Sequence, residues 1–382
     1  MKIALLGATR SGKTAYFTGV YHRFRHVTGL PHLSRDERQN YKKNGIDNKV
    51  GLRIEIEDTE LERLLAENEG FLMKRPIERW PNPTSRLDQS AIGIQFDFLP
   101  IDDDKEQFSY QRTIELYDPT GEAFTGQHHD SSGILTKLKA CDIGVIFLSA
   151  EVIMTSIDPD TEDVDEDRLA EITGGAALGR IIQLLKKMDR TVLGDDVFPV
   201  CFVISQFDRV PKDKLELVNK IIFERIIHSF SKDNKRFLVC VCPVSLKHPT
   251  TGNFQSVNLE WPFLFATGGV IFRNSLELRK LGETYDSLGR DADHAADRYE
   301  DLYNRSKWDY FWGWLFSGGK ESFVSERKNA RSYYNDAGRK IEEADDDKFL
   351  ARAVWSSIAT EGPKRGVWVF MGGKKVNIME IV

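Results

Sequence analysis

Cysteine is scarce in this chain: four in 382 residues, at Cys141, Cys201, Cys240 and Cys242. Three of them lie in apolar, strand-like runs and Cys141 sits just before another, the placement of buried free thiols in a reducing compartment. Cys240-x-Cys242 has no second cysteine pair or histidine pair to complete a zinc site, so no metal is expected there. No run approaches the ~20 apolar residues of a membrane span. The amino terminus lacks the basic stretch, apolar stretch and cleavage site of a signal peptide. A cytoplasmic location is therefore expected, with any membrane contact peripheral. A basic tail is also missing. Lys and Arg number 53 against 59 Asp and Glu, a net charge of −6, which argues against a general nucleic-acid binder. With 41% hydrophobic and 29% charged residues, the chain is long enough for two domains or one large decorated domain.

Its most informative stretch comes first. Ile3 to Leu6 reads as a strand running straight into Gly7-Ala8-Thr9-Arg10-Ser11-Gly12-Lys13-Thr14, which fits the phosphate-loop pattern G-x-x-x-x-G-K-[ST]. Gly7 and Gly12 allow positive φ and close backbone approach. The loop residues Arg10, Ser11 and Gly12 and the first helical residue Ala15 are expected around the phosphates. Lys13 reaches the β- and γ-phosphate oxygens, and the Thr14 hydroxyl can ligate Mg²⁺. The following helix, Ala15 to about Arg25, turns its positive dipole end toward the anion. Nucleotide triphosphate binding is the expectation from which the others follow.

Strand and helix signals then alternate. After a long insertion at about 27–90, which holds an alternating strand candidate (Leu52–Glu57) and a helical run (Thr59–Leu72), come Ala91–Leu99 and Phe108–Tyr117. They flank the acidic turn Asp102-Asp103-Asp104 and read as an antiparallel hairpin. Three almost wholly apolar runs, Ile143–Ala150, Val197–Ile204 and Phe237–Val244, suit strands covered on both faces. Helical patterns at about 166–189 and 212–230 separate them. The expected fold is α/β, with a doubly wound, mostly parallel sheet over 1–250. The acidic segment 156–167 reads as a solvated loop. Residues 251–382 read as mainly helical, ending in a hairpin over 367–382 in which Val367–Met371 and Val376–Val382 flank Gly372-Gly373-Lys374.

Hydrolysis needs a second carboxylate. Asp118 closes the strand Thr113–Tyr117 and opens Asp118-Pro119-Thr120-Gly121-Glu122. It can hold Mg²⁺ through water, and the Gly121 N–H can sense a γ-phosphate. Thr84 or Ser85, in the Trp80-Pro81-Asn82-Pro83-Thr84 loop, is a candidate switch hydroxyl, Thr84 as a Mg²⁺ ligand in the triphosphate state, set against the plainer reading of a turn hydroxyl. Arg10 or Arg86 is a candidate arginine finger in cis, set against the plainer reading of an exposed arginine. Ser205-Gln206-Phe207-Asp208 follows an apolar strand. The Asp208 carboxylate can accept from guanine N1–H and N2–H₂, donors that adenine does not offer. Backbone N–H groups of Ser245-Leu246-Lys247 can meet guanine O6.

Taken in order, Gly7–Thr14, Asp118–Gly121, Ser205–Asp208 and Ser245–Lys247 resemble the G domain of the Ras-like and translation-factor class of P-loop GTPases, over roughly residues 1–250. Asp-Pro-Thr-Gly-Glu and Trp80–Thr84 look most like the bacterial double-GTPase type, which is associated with multi-gene conflict or defence systems. The resemblance implies a GTP/GDP switch, Mg²⁺ dependence and a protein effector or activating protein. Two departures matter. Gln206 stands where the family carries a lysine that covers the base, which loosens guanine selectivity and keeps an ATPase of similar fold as an alternative. Glu122 stands where Ras-like enzymes carry a water-orienting glutamine, so slow intrinsic hydrolysis is expected, with a non-hydrolysing nucleotide-binding scaffold as the other alternative. Gln127 and His128 are nearby substitutes, set against the plainer reading of a solvated loop.

Beyond the G-like region, Tyr285, Leu288, Ala292, Ala295, Tyr299 and Leu302 form a coiled-coil seam. A second seam over 323–344 completes an expected antiparallel helical hairpin, 285–344. Its connection, Trp308–Phe316, carries seven large apolar residues in nine. That stretch can fold into the core, dock a partner protein or insert into a membrane surface.

Overall fold

The computed structural model describes residues 1–7, 11–25, 50–74, 77, 91–98, 108–118, 136, 138, 140–158, 164–165, 167, 197–227, 237–273, 354–372 and 374–376. The chain divides into two compact units, one of Met1–Val270 with Leu350–Val382 and the other of Ile271–Phe349. The division expected at residue 250 thus falls inside the first unit, which takes in both ends of the chain. The expected 285–344 hairpin and its Trp308–Phe316 tip lie outside the described residues.

A nine-stranded mixed sheet organises the first unit. Its strands are β1 (Lys2–Leu6), β2 (Val50–Ile56), β3 (Ala91–Phe98), β4 (Phe108–Tyr117), β5 (Ile143–Ser149), β6 (Phe198–Ser205), β7 (Phe237–Pro243), β10 (Trp368–Met371) and β11 (Lys374–Lys375). A separate two-stranded ladder is made by β8 (Ser245–Lys247) and β9 (Phe254–Val257). The order is β11-β10-β7-β6-β5-β1-β4-β3-β2. The five central strands, β4-β1-β5-β6-β7, are all parallel, while β2, β3, β10 and β11 flank them in antiparallel pairing. Every residue of β5 and β6 is buried, which is why their sequences are continuous apolar runs rather than alternating ones. β3 and β4 form the expected hairpin, in a register that runs from Ala91↔Glu115 to Phe98↔Phe108.

Helices cover both faces. On one, Leu6, Ile146, Leu148, Phe202 and Ile204 share a core with Ala150 and Ile153 of α3 (Ala150–Met154) and Val218 and Ile221 of α4 (Leu215–Ile221). On the other, Tyr16 of α1 (Lys13–Phe24) meets Phe147 edge-on at 5.3 Å and stacks on Phe263 at 6.0 Å. The insertion helix α2 (Thr59–Leu72) matches its sequence signals. Asp58 caps it, accepting from the Glu60 and Leu61 N–H groups at 2.9 and 3.0 Å, and Leu61, Leu65 and Leu72 bury one stripe. No helix among the described residues is long and apolar enough to cross a membrane.

Three local features differ from expectation. The acidic segment is tied at its base by an Ile157↔Val164 bridge and by Asp165 N–H on Ser156 O at 2.9 Å. The helical pattern expected at 212–230 divides, within the described residues, into a 3-10 turn (Lys212–Lys214), α4 and a π-helical stretch (Ile222–Ile227). The C-terminal hairpin does not stand alone, because β10 docks on β7 with Val369 opposite Cys240. The expected helix at 166–189 lies outside the described residues. All four cysteines are buried and none is in a disulfide, and burial pushes the Cys141 thiol up to about 12.

Candidate nucleotide site

The loops singled out from sequence emerge from one edge of the sheet. In a parallel sheet every strand delivers its following loop to the same side, and ligands bind outside those carboxyl ends, where neighbouring connections diverge. Here β1 is flanked by β4 on one side and β5 on the other. Gly7 follows β1, Asp118 follows β4, Gln206 follows β6 and Val244 follows β7.

Gly12 is the residue before α1, at φ +92°. A Cβ there would sit 3.2 Å from both Cβ and Oγ of Ser205. At Gly7 a Cβ would stand 2.7 Å from Ser11 Oγ and 3.1 Å from Phe147. Gly12 is favoured by its left-handed conformation and Gly7 by the crowding of Ser11 and Phe147. Lys13 opens α1 and folds back: its Nζ donates to Gly7 O at 3.0 Å and pairs with Asp118 Oδ1 at 3.1 Å. The two side chains are only 12% and 5% exposed. An ammonium and a carboxylate so placed are costly to desolvate unless each neutralises the other.

Ser11 Oγ is buried and has no hydrogen-bond partner among the described residues. Buried hydroxyls rarely stay unsatisfied, and this one lies inside the loop whose sequence pattern calls for an anionic ligand. The glycine-lined turn, the lysine and the orphaned hydroxyl together fit a polyphosphate. Thr14 and Asp118, hydroxyl and carboxylate, are hard oxygen donors suited to Mg²⁺. Among the described residues no cluster of three His, Cys, Asp or Glu offers an all-protein metal site, so an ion here would take the remainder of its coordination from phosphate and water. Ala15 sits in the first turn of α1, where Tyr16 N–H closes on Gly12 O at 2.9 Å.

The Ser205–Asp208 turn is joined physically to the Ser11–Lys13 turn. Ser205 Oγ donates to Ser11 O at 2.7 Å, with Leu148 O a second acceptor at 3.2 Å. Gln206 takes the left-handed conformation, φ +56°, which a non-glycine residue adopts only at a cost. Its carboxamide oxygen accepts from the Ser149 hydroxyl at the end of β5. This reversal launches the 3-10 turn Phe207–Arg209, which carries Asp208. Burial raises the Asp208 pKa, Glu151 adds to the rise, and its own backbone N–H, Arg209 and Lys247 oppose it. Arg209 is itself paired with Glu151. The turn packs on β8, and Phe207 N–H reaches Val244 O at 3.3 Å.

Sequence reasoning placed Ser245 and Leu246 after β7 without a partner strand. They belong instead to β8, which pairs with β9, and Leu246 is buried. Ser149, the Ser205–Ser11 bond and Asn258 carried no motif signal. Asn258, at φ +61°, donates through Nδ2 to Pro243 O at 2.8 Å and Arg365 O at 2.9 Å. Arg10, Thr84, Ser85, Arg86, Gly121, Glu122, Gln127 and His128 lie outside the described residues.

The glycine geometry leads to a modest, checkable effect. Gly12→Ala places a side chain in left-handed backbone, at about 1–2 kcal/mol, and against Ser205. Thermal unfolding is expected to show that loss of stability together with weakened nucleotide affinity. Wild-type stability in this variant would mean that Gly12 is not held at positive φ.

No protein-family model matches this chain, and none of the curated proteins matches it at a significant level.

Proposed function

We propose that this chain is a P-loop switch of Ras-like topology that binds guanine nucleotide with Mg²⁺ and hydrolyses GTP slowly. One observation carries the proposal: the Lys13–Asp118 pair and the Ser205–Asp208 turn meet at the carboxyl edge of five parallel strands, stitched together by Ser205 Oγ on Ser11 O. A nucleotide is a ligand with an anion at one end and a hydrogen-bonding base at the other, and the two halves of this site match those ends in order. Lys13 and the loop amides bind phosphate. Thr14 and Asp118 would hold Mg²⁺, which neutralises charge on the phosphates during transfer. Asp208 selects guanine. Gly121 senses the γ-phosphate, with Thr84 closing on the ion and Glu122 a weak orienter of water. Output to a protein partner or membrane surface falls to 285–344, where Trp308–Phe316 carries seven large apolar residues in nine.

The test is to purify the protein gently and identify the nucleotide it retains, then to titrate GDP and ADP by calorimetry. Retained guanine nucleotide and a preference for GDP are expected. A preference for ADP would move the protein to the ATPases, and Gln206, which accepts from Ser149 where the resemblance calls for a lysine over the base, is what keeps that alternative in play. Single-turnover release of phosphate from GTP then separates a slow enzyme from a nucleotide-binding scaffold.

A further inference from the structure

The β8–β9 hairpin follows directly from β7 and packs on both the turn that carries Asp208 and α1. Its root is fixed twice. Val244 N–H bonds Ile204 O at 2.8 Å, and Asn258, just past β9, donates back to Pro243 O. Its middle presses on α1: a Cβ at Gly19 would come within 2.3 Å of Leu246 Cδ2 and 3.3 Å of Leu259 Cδ1. Only glycine at position 19 leaves room for Leu246 as it stands. The far end is held by two further elements. Phe254 meets the His22 ring edge-on at 4.9 Å, and His22 is bound in turn to Glu69 of α2, which also pairs with Arg25 at 2.9 Å. Gly252 O accepts from Ile77 N–H at 2.9 Å, and Gly252 N–H returns to His248 O at 3.0 Å. The turn itself is set by His248 Nδ1, which accepts from Thr250 and Thr251 N–H at 3.2 and 3.1 Å.

A two-stranded ribbon alone is marginally stable. Here it is held at root, middle and tip, and the strand so held carries Ser245 and Leu246 beside the turn of Asp208. We propose that the β8–β9 hairpin is a positioning device for base recognition, in which Phe254, His22 and the Ile77–Gly252 bond, none of them in the nucleotide site, align the main chain of Ser245 and Leu246 with the 6-position of the base. This rests on the guanine-nucleotide reading above. Hydrogen bonds weaken steeply with misalignment, so slack at the tip of a short ribbon is felt at its root.

The experiment compares wild type with Phe254→Ala and His22→Ala, and with Phe254→Tyr as the conservative control, titrating GDP, IDP and ADP. GDP and IDP share the 6-oxo group and differ only in the 2-amino group read by Asp208, whereas ADP carries a 6-amino group. Loss of alignment lowers the IDP-to-ADP affinity ratio about tenfold in both alanine variants, leaves the GDP-to-IDP ratio at its wild-type value, and is reversed in Phe254→Tyr. A general weakening of the fold lowers all three affinities in parallel and leaves both ratios fixed, and that result overturns the proposal. Phe254 is only half-buried, so thermal unfolding of the variants verifies that each is folded at the titration temperature. Should wild type itself show no preference for GDP over ADP, the guanine reading fails first. A wild-type preference that both alanine variants retain sinks the hairpin's role alone.

Discussion

Lys13→Met is expected to reduce affinity for nucleoside di- and triphosphates by roughly 100-fold or more and also to destabilise the protein by about 3–5 kcal/mol, the range for removing one partner of a buried ion pair. The second effect is unusual for a ligand-binding lysine. It follows from geometry, because Lys13 Nζ stands 3.1 Å from an Asp118 carboxylate that is 5% exposed. Without the ammonium that buried carboxylate loses its cationic partner, and the cost of holding its charge out of water falls on the fold. The binding loss arises separately, from charge-assisted bonds to phosphate that no other described side chain in the loop can supply. A double-mutant cycle separates the two. Adding Asp118→Leu to Lys13→Met removes the stranded charge, so stability measured by urea unfolding should return most of the way to wild type, while calorimetry still finds no tight nucleotide. Tight binding by the double variant would exclude Lys13 as the phosphate ligand. Equal stability of Lys13→Met and wild type would mean that the two groups do not pair in solution.

Asp208→Asn should exchange guanine for xanthine. A carboxylate accepts from both N1–H and N2–H₂ of guanine. A carboxamide can accept from one and must set its own N–H₂ against the other. Xanthine carries an oxygen at position 2, so the same carboxamide then matches both atoms. With hydrogen bonds to a charged group at about 1.5–3 kcal/mol each, GDP affinity falls roughly 100-fold while xanthosine diphosphate gains. Competition titration with the two nucleotides reads the exchange, and an unaltered preference in the variant would remove Asp208 from the base site. Acidity gives an independent check. Burial raises the Asp208 pKa, so on acidification the free protein protonates this group at a higher pH than an ordinary aspartate would. The protonated form cannot accept both bonds. GDP affinity should therefore decline as pH falls through that raised value, with a proton taken up on release. The Asp208→Asn variant should lack this component.

Elements with a single dominant local cause could be read from the chain. β5, β6 and β7 are continuous apolar runs because both faces are covered, and α2 announces itself by Asp58 and by leucines at helical spacing. Gly7, Gly12 and Lys13 are legible because the turn from β1 into α1 favours glycine at both places and Lys13 folds back on Gly7 O and Asp118. What escaped reading depends on partners distant in sequence. Ser149 bonding Gln206, Ser205 bonding Ser11 and Asn258 bonding Arg365 join positions separated by 57, 194 and 107 residues, and a serine or asparagine has no periodicity to betray such a bond. β8 was missed for a related reason. Three residues are too few for an alternation signal, and its partner β9 lies beyond a turn ordered by His248.

β10 has a consequence for how the chain is made. The inner edge of the parallel core, Phe237–Pro243, is covered only when Trp368–Met371 arrives, more than a hundred positions later. A nascent polypeptide emerging amino end first therefore carries an open, apolar border throughout synthesis of everything between. Such borders invite pairing with other chains, and among the described strands it is β10, with β11 beyond it, that covers this one.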